Sequence, residues 1–174
     1  MYFRNQISSV KSIHQKICEQ AEIFETPEEF SKAFEKGSLN KNCVVVIRGQ
    51  GPKSNGMPEL HSLNPILSVI QNLGYRIALI TDGRMSGASG SVLTVVHVNP
   101  ETNDGGVISK IKKSDFIEID AQKGTMNVKI SNKLLDKRLV SYTSTDYSSG
   151  YGRELFKTNR HQVTSSDTGA ISIG

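Results

Sequence analysis

Two short apolar runs, each followed by a glycine-rich stretch, constrain the fold most. Residues 43–47 (CVVVI) and 75–81 (YRIALIT) have the length of strands, and continuous β-branched runs of this length are typical of strands buried on both faces. A stretch with helical spacing lies between them, from Asn64 to Gly74. The order strand, loop, helix, strand predicts a parallel crossover unit, in which ligands gather at the carboxyl ends of the strands.

Two helices are predicted from capping signals and apolar spacing. The first begins at Thr26-Pro27 with Glu29 completing a capping box, and ends at Gly37. The second begins at Asn64-Pro65, where proline is well tolerated. Its predicted inward face consists of Ile66, Leu67, Val69, Ile70 and Leu73.

The remaining segments divide into an arm and a β-rich half. Residues 1–25 lack a strong period and are predicted to be an N-terminal arm or linker with a short strand at 7–10. Residues 26–174 then form the main domain. Residues 92–98 are a strand or a buried helical turn. The later segments, 107–111, 116–120 and 125–130, alternate apolar and polar residues, which predicts an antiparallel meander or small barrel.

Composition excludes several function classes. The chain has 174 residues and a net charge of +4, but its Lys and Arg residues are scattered rather than gathered into a stripe, so we expect no nucleic-acid partner. No apolar run is long enough for a membrane span, and residues 1–4 lack signal-peptide features. These observations favour a cytoplasmic protein. Cys18 and Cys43 predict no disulfide; Cys43 is expected to be a buried structural thiol.

The second glycine-rich loop, over residues 80–90, contains the first candidate site residues. It is neither a Walker A loop nor a nucleophile elbow. Ser86 held near a cation can lose its proton and act as a base or nucleophile; an ordinary Gly/Ser turn is the equal alternative. Arg84 can hold an anionic group. Asp82 either orients one of them or simply forms the turn.

The first loop, over residues 50–61, offers complementary groups, and we expect the two loops to meet at one site. Glu59 is either solvated or suits a magnesium ion with other ligands elsewhere. Lys53 suits a phosphate or carboxylate. For His61, a hydrogen-bonding partner is favoured over a metal ligand or general acid.

At these residues the chain resembles a known family. QGPKSNGMPELH at 50–61 and TDGRMSGASG at 81–90 are similar to the two signature loops of the dihydroxy-acid dehydratase and 6-phosphogluconate dehydratase family. Shorter matches are HVNPE at 97–101, DGG at 104–106 and GRELF at 152–156. The resemblance runs from about residue 7 to 170. Within the family, the NGMPELH, MSGASG and RELF stretches resemble the 6-phosphogluconate dehydratase branch.

The resemblance implies a fold and a chemistry. The fold is α/β, a barrel-like β core with flanking helices, of the swivelling β/β/α type. The family removes water from sugar acids or dihydroxy acids, here 6-phosphogluconate in the Entner–Doudoroff pathway. The serine of the second loop, Ser86, takes the C2 proton; the glutamate of the first loop, Glu59, binds magnesium. An iron–sulfur cluster of the 4Fe–4S type acts on the departing 3-hydroxyl. Lys53, Arg84 and Arg153 are candidates for substrate binding.

The family's large N-terminal domain, which carries the cluster cysteines and most magnesium ligands, has no counterpart here. Cys18 and Cys43 do not match its ligand positions. We therefore expect a C-terminal dehydratase domain whose partners are a sugar-acid phosphate, the cluster-bearing N-terminal domain and, as the family implies, a second copy in a homodimer. No cofactor is expected to bind stably to this chain alone, and the chain alone is expected to be inactive. The alternative is a non-catalytic module that binds an anionic metabolite or a partner protein.

Overall fold

The computed structural model describes residues 2–6, 10–86, 91–140, 142 and 157–172. The described strands form one seven-stranded sheet with the order β1-β5-β4-β3-β2-β6-β7. The strands are β1 Tyr2–Gln6, β2 Lys16–Phe24, β3 Cys43–Ile47, β4 Ile77–Thr81, β5 Leu93–Asn99, β6 Phe116–Asp120 and β7 Thr125–Val128. Strands β2 to β5 run parallel to one another, whereas β1, β6 and β7 pair antiparallel with their neighbours.

The helices are short; the first four lie between strands in the chain, and the last two follow the final strand. They are α1 Pro27–Glu35, α2 Pro52–Asn55, α3 Asn64–Asn72, α4 Val107–Lys110, α5 Asn132–Lys137 and α6 Lys157–Gln162, with 3-10 turns at Ser12–His14, His61–Leu63 and Ser166–Thr168. None of the helices in the described part of the chain has the length and apolar character that crossing a membrane requires.

Each face of the sheet has its own apolar core, because successive side chains of a strand point to opposite faces. On one face, Val45 and Leu79 pack with the buried residues Phe30 of α1 and Leu67 of α3. On the other face, residues from the strands β2 to β7 pack against one another and against Ile108 of α4. The sheet curls around this second core into a half-barrel. The predicted α/β class with a barrel-like core and flanking helices is confirmed.

The crossover unit β3–α3–β4 is also confirmed. Every residue of β3 and of β4 is buried, as the continuous apolar runs predicted, and the two strands pair in parallel. Burial raises the pKa of the Cys43 thiol to about 12, so Cys43 is a structural residue. Cys18 is exposed, and neither cysteine is in a disulfide.

Helix α1 begins as its capping signals predicted. The backbone N–H of Glu29 donates to Oγ1 of Thr26 at 3.2 Å. The Glu29 carboxylate reaches back to the backbone N–H of Glu25 at 2.8 Å, one residue before the position of a standard capping box. Gly37 follows the helix with a φ of +69°, which suits a glycine at a helix end.

The predicted inward face of α3 was partly wrong. Leu67 and Ile70 are fully buried and Ile66 packs partly against them, but Val69 is 45% and Leu73 is 60% exposed. At 100° per residue, positions 69 and 73 lie at the side of the face defined by 67 and 70. The helix meets the sheet through a narrower stripe than its apolar composition indicated.

Two other predictions were wrong. Part of the expected N-terminal arm is β2, which pairs in parallel with β3 and antiparallel with β6 in the interior of the sheet. Charged and polar residues interrupt its apolar residues. Which of its side chains are buried therefore depends on strands that are distant in sequence. The expected strand at 107–111 is instead the short helix α4, followed by extended backbone. The β6–β7 pairing of the predicted meander is confirmed.

The observed face of α3 gives a first prediction. Ile70→Ala should lower the free energy of unfolding by about 2–5 kcal/mol, because it leaves a cavity in a fully buried site. Leu73→Ala, on the same helix, should change it by about 0.5 kcal/mol or less. Urea unfolding followed by circular dichroism measures both. Equal effects of the two substitutions would contradict the observed face.

Candidate active-site loops

Polar segments follow all four parallel strands at one edge of the sheet. Glu25 follows β2, Arg48 follows β3, Asp82 follows β4 and Glu101 follows β5 after one proline. Because parallel strands end at the same edge, these segments lie together. The two glycine-rich loops singled out in the sequence both begin at this edge.

Asp82 joins three of these segments. Its side chain is fully buried. Oδ1 accepts the backbone N–H of Gln50 at 2.9 Å, and Oδ2 accepts those of Gly49 at 3.2 Å and Thr102 at 2.9 Å. The bases of both loops and the segment after β5 are therefore tied to one carboxylate. The contacts of Gly83 add to this: a Cβ there would lie 2.7 Å from Cβ of Gln50, so the loop bases pack without room for a side chain.

Burial and hydrogen bonding have opposite effects on the pKa of Asp82. Burial raises the pKa of the Asp82 carboxyl; the Thr102 hydroxyl and the three backbone N–H groups, those of Gln50, Thr102 and Gly49, oppose the shift, and the net direction is upward. The charged form thus depends on hydrogen-bond donors that cannot be replaced by water at this depth.

Glu101, in the segment after β5, is a second buried carboxylate that accepts backbone N–H groups of the first loop. It is 2% exposed, and its Oε1 accepts the backbone N–H and the hydroxyl of Ser54, both at 2.8 Å, while Oε2 accepts the backbone N–H of Lys53 at 3.1 Å. A Cβ at Gly51 would lie 2.5 Å from Glu101 Oε2, so glycine is required for this close approach. Burial raises the pKa of Glu101. The carboxylate fixes the start of α2, a helical turn in a stretch that we had expected to be loop.

An ion pair between a buried arginine and a partly exposed glutamate completes the edge. Arg48 is 4% exposed, and its Nε and Nη2 donate to Oε1 of Glu25 at 2.8 and 2.5 Å. Its Nη1 donates to the carbonyl oxygens of Ser109 and Ile111, each at 3.1 Å. This pair connects the ends of β2 and β3 to the segment around α4.

The two loops meet, as the sequence predicted. Glu59 and Arg84 form a parallel backbone bridge, in which the N–H of Leu60 donates to the carbonyl of Arg84 at 3.1 Å. In the opposite direction, Nε of Arg84 donates to the carbonyl of Met57 at 2.9 Å. The guanidinium of Arg84 remains half-exposed.

This crossing brings Glu59 to Ser86. Oε1 of Glu59 accepts the backbone N–H of Ser86 at 2.7 Å and that of His61 at 3.1 Å. Oε2 lies 3.9 Å from Nη1 of Arg84. Three sequence-predicted residues, Glu59, Arg84 and Ser86, therefore form one exposed group. Nδ1 of His61 lies 3.4 Å from Nδ2 of Asn64, which agrees with the favoured hydrogen-bonding role.

Lys53, another predicted site residue, contacts a different carboxylate and does not join this group. Nζ of Lys53 is 2.9 and 2.8 Å from the two carboxylate oxygens of Asp104. An anionic ligand at Lys53 would have to compete with that carboxylate. Arg153 lies outside the described residues, as do residues 87–90 of the second loop.

Comparison with known proteins identifies the family. The sequence model described as dihydroxy-acid/6-phosphogluconate dehydratase C-terminal matches residues 5–170. The chain belongs to this family. The match includes both loops and all four parallel strands, so the edge described above is an edge of a dehydratase C-terminal domain.

Named relatives support the same assignment. Phosphogluconate dehydratase of Helicobacter pylori is 42% identical over 97% of this chain and 29% of the relative's length. The Escherichia coli K12 protein of the same name is 42% identical over 95% of the chain and 28% of its own length. A dihydroxy-acid dehydratase of Ruminiclostridium cellulolyticum is 35% identical over 87% and 27%. The chain spans less than a third of the length of these relatives.

The dehydratase domain offers a partial fit to the magnesium ion that the family implies. Glu59 has one carboxylate at the exposed loop crossing, which suits one ligand position of an ion that keeps waters or other oxygen ligands. Among the described residues no cluster of three His, Cys, Asp or Glu side chains could hold a metal. Glu59 therefore fits as a single ligand in a shell completed by other groups.

The two cysteines do not fit a cluster beside Ser86. Cys18 lies near the amino end of β2 and Cys43 at the amino end of β3, whereas the loops leave the carboxyl ends. Thiolates are the usual iron–sulfur ligands, and burial keeps Cys43 in its thiol form.

Sequence reasoning missed most of the residues that support the loops. Glu25, Arg48 and Glu101 were not singled out, and Asp82 was left between two roles. One signal was available: each is a charged residue within two positions of the end of a parallel strand. The sequence could not show which of them are buried, because that depends on how the four strand ends are arranged in space.

The buried position of Asp82 gives a second prediction. Asp82→Ala should lower the free energy of unfolding by about 3 kcal/mol, because it removes the acceptor of the buried N–H groups of Gln50 and Thr102 and one of the two acceptors of Gly49. Asp104→Ala is the matched control: it removes a half-exposed carboxylate at the same edge and should cost about 1 kcal/mol or less. Chemical denaturation measures both. An Asp82 effect no larger than that of Asp104 would contradict the supporting role.

The raised pKa of Asp82 gives a third prediction, on pH. A carboxyl whose pKa is higher in the folded than in the unfolded state binds protons preferentially when folded, so acidification through that raised pKa adds stability. Asp82→Asn cannot titrate. The unfolding free energy of the wild type minus that of Asp82→Asn should increase as pH falls from 7 towards 4, by at most about 1.4 kcal/mol per pH unit. A decreasing difference would show that the pKa is lowered instead.

Proposed function

We propose that this domain supplies the base-bearing half of a phosphogluconate dehydratase site. The reaction converts 6-phospho-D-gluconate to 2-keto-3-deoxy-6-phosphogluconate and water, a step of the Entner–Doudoroff pathway. One structural observation supports it above others: Ser86, Glu59 and Arg84 are held together at an exposed crossing of two loops. Relatives named phosphogluconate dehydratase that match nearly the whole chain supply the substrate class.

In the proposed reaction, Ser86 in its alkoxide form takes the proton from C2 of the substrate. The electrons of the C2–H bond form the C2=C3 double bond, and the 3-hydroxyl leaves with the electrons of its C–O bond and is protonated to water. The resulting enol takes a proton at C3 and releases the proton of its 2-hydroxyl to solvent, which gives the 2-keto acid. Atoms and charge balance, and the proton on Ser86 returns to solvent before the next turnover.

The alkoxide requires nearby positive charge, because a serine hydroxyl is a very weak acid in water. Arg84 is two residues before Ser86, and its half-exposed guanidinium can hold an anionic group of the substrate. A magnesium ion, when bound, supplies positive charge at the substrate carboxylate and makes C2 more acidic. Glu59 would contribute one ligand to that ion.

In the proposed reaction, the group that activates the departing 3-hydroxyl comes from outside this domain. We propose that a 4Fe–4S cluster and the remaining magnesium ligands belong to an N-terminal dehydratase domain, since the relatives are more than three times as long as this chain. That domain is the proposed partner, and the proposed assembly is a cytoplasmic homodimer. Arg84, Arg153 and Lys53 are the proposed contacts to the sugar-acid phosphate, with Lys53 released from Asp104.

The fourth prediction tests the base. This chain replaces the matching C-terminal segment of the Escherichia coli phosphogluconate dehydratase, and conversion of 6-phosphogluconate is measured. We expect turnover by the chimaera, and a loss of about 10²–10⁴-fold in kcat for Ser86→Ala, which is the usual range for a proton-transfer group. Ser38→Ala, an exposed turn serine bonded to the carbonyl of Ala33, is the matched control and should leave kcat unchanged.

Two results would contradict the proposal. An active chimaera that keeps its kcat in Ser86→Ala would remove the serine from the reaction. Turnover by the 174-residue chain alone, with iron, sulfide and magnesium supplied, would show that no second domain is needed. An inactive chimaera that still binds 6-phosphogluconate in calorimetry would favour the alternative of a non-catalytic binding module.

A further inference from the structure

We propose that Glu59 is the positioning residue of Ser86: one of its carboxylate oxygens fixes the backbone of the serine, and the other lies beside the guanidinium of Arg84. This role rests on the proposed function, in which Ser86 is the base, and it explains what places that base. It concerns a hydrogen bond that exists without substrate, metal or partner domain.

The hydrogen bond to Ser86 is short and comes from another loop. The backbone N–H of Ser86 donates to Oε1 of Glu59 at 2.7 Å across 27 positions of sequence. Met85, just before it, is 5% exposed and anchors the chain in the core. Ser86 is the exposed residue that follows this anchor, so a fixed acceptor at Glu59 determines where its backbone leaves the core.

Glu59 is itself held from both sides. Its backbone pairs with Arg84, and the next residue, Leu60, is 2% exposed and donates its N–H to the carbonyl of Arg84 at 3.1 Å. The N–H of His61 donates to the same Oε1 at 3.1 Å. Two N–H groups therefore converge on Oε1 and set the rotation of the carboxylate.

In this orientation the two carboxylate oxygens of Glu59 have different contacts. Oε1 accepts two backbone donors, whereas Oε2 lies 3.9 Å from Nη1 of Arg84, too far for a hydrogen bond. One carboxylate thus binds the backbone of Ser86 through Oε1 and lies beside the guanidinium of Arg84 through Oε2, so the positions of the serine and of this cation are coupled through one side chain.

The fifth prediction concerns the Ser86 amide. It is measured by NMR in metal-free buffer on the 174-residue chain and on three variants, Glu59→Ala, Glu59→Gln and Asp104→Ala. Glu59→Ala removes the acceptor, and we expect the Ser86 amide proton to exchange with water at least about tenfold faster and to move upfield, since a charged acceptor contributes more than a factor of ten to such a bond. Glu59→Gln keeps a carbonyl oxygen of the same reach. It should restore the Ser86 amide to an exchange rate between those of Glu59→Ala and the wild type, because a neutral acceptor bonds about half as strongly as a charged one.

Asp104→Ala is the matched control, because it removes another half-exposed carboxylate at the same edge of the sheet. It should leave the Ser86 amide unchanged. The amide of Leu60, which bonds to the carbonyl of Arg84, reports whether the loop crossing itself survives, and it should stay protected in all three variants.

Three outcomes would overturn the inference: an unchanged Ser86 amide in Glu59→Ala, no rescue by Glu59→Gln, or equal loss of protection at Leu60, which would make Glu59 a support of the whole crossing. Turnover has no part in this measurement. Failure here is therefore distinct from failure of the proposed dehydratase chemistry, which the Ser86→Ala chimaera tests separately.

Discussion

The buried carboxylate of Asp82 is the constraint on which the exposed loops depend. A fully buried acid is costly unless donors surround it, and here the donors are backbone N–H groups at the ends of other strands. Each donor group is satisfied by the acid, and the acid is stabilised by the donors. The bases of the two glycine-rich loops consequently have one relative position, although their outer parts are exposed.

The exposed parts of the two loops are held together by contacts that involve their backbones. The bridge between Glu59 and Arg84 places the carboxylate of one loop beside the backbone of Ser86 in the other. The crossing therefore presents an exposed serine, a half-exposed cation and a carboxylate, the groups of the proposed half-site. The bases of the loops are fixed by buried hydrogen bonds while these outer residues are exposed, which is consistent with the proposed binding of a substrate and a second domain.

The sequence predicted local elements well and their environment less well. The strands β3 and β4 and the start of α1 could be predicted because their signals are local: apolar runs, Thr26 as a cap and Pro27 at the first turn. The strand β2 could not be predicted, because its sequence mixes apolar and charged residues and it is stabilised as a strand by pairing with β3 and β6. Glu59, Arg84 and Ser86 could be selected from residue types and resemblance; the pairing of Lys53 with Asp104 could not, since the two residues are 51 positions apart.

The sequence by itself determined the family, the parallel crossover unit and the residue types at the loop crossing. Its two long signature loops are specific enough for that, and β-branched runs of five residues allow few alternatives to buried strands. Only the tertiary structure decided that Asp82 and Glu101 support the loops rather than act at their surface, and that Glu59 holds Ser86. The physical reason is that burial and hydrogen-bond partnership are set by strand order, which brings segments far apart in sequence to one edge of the sheet.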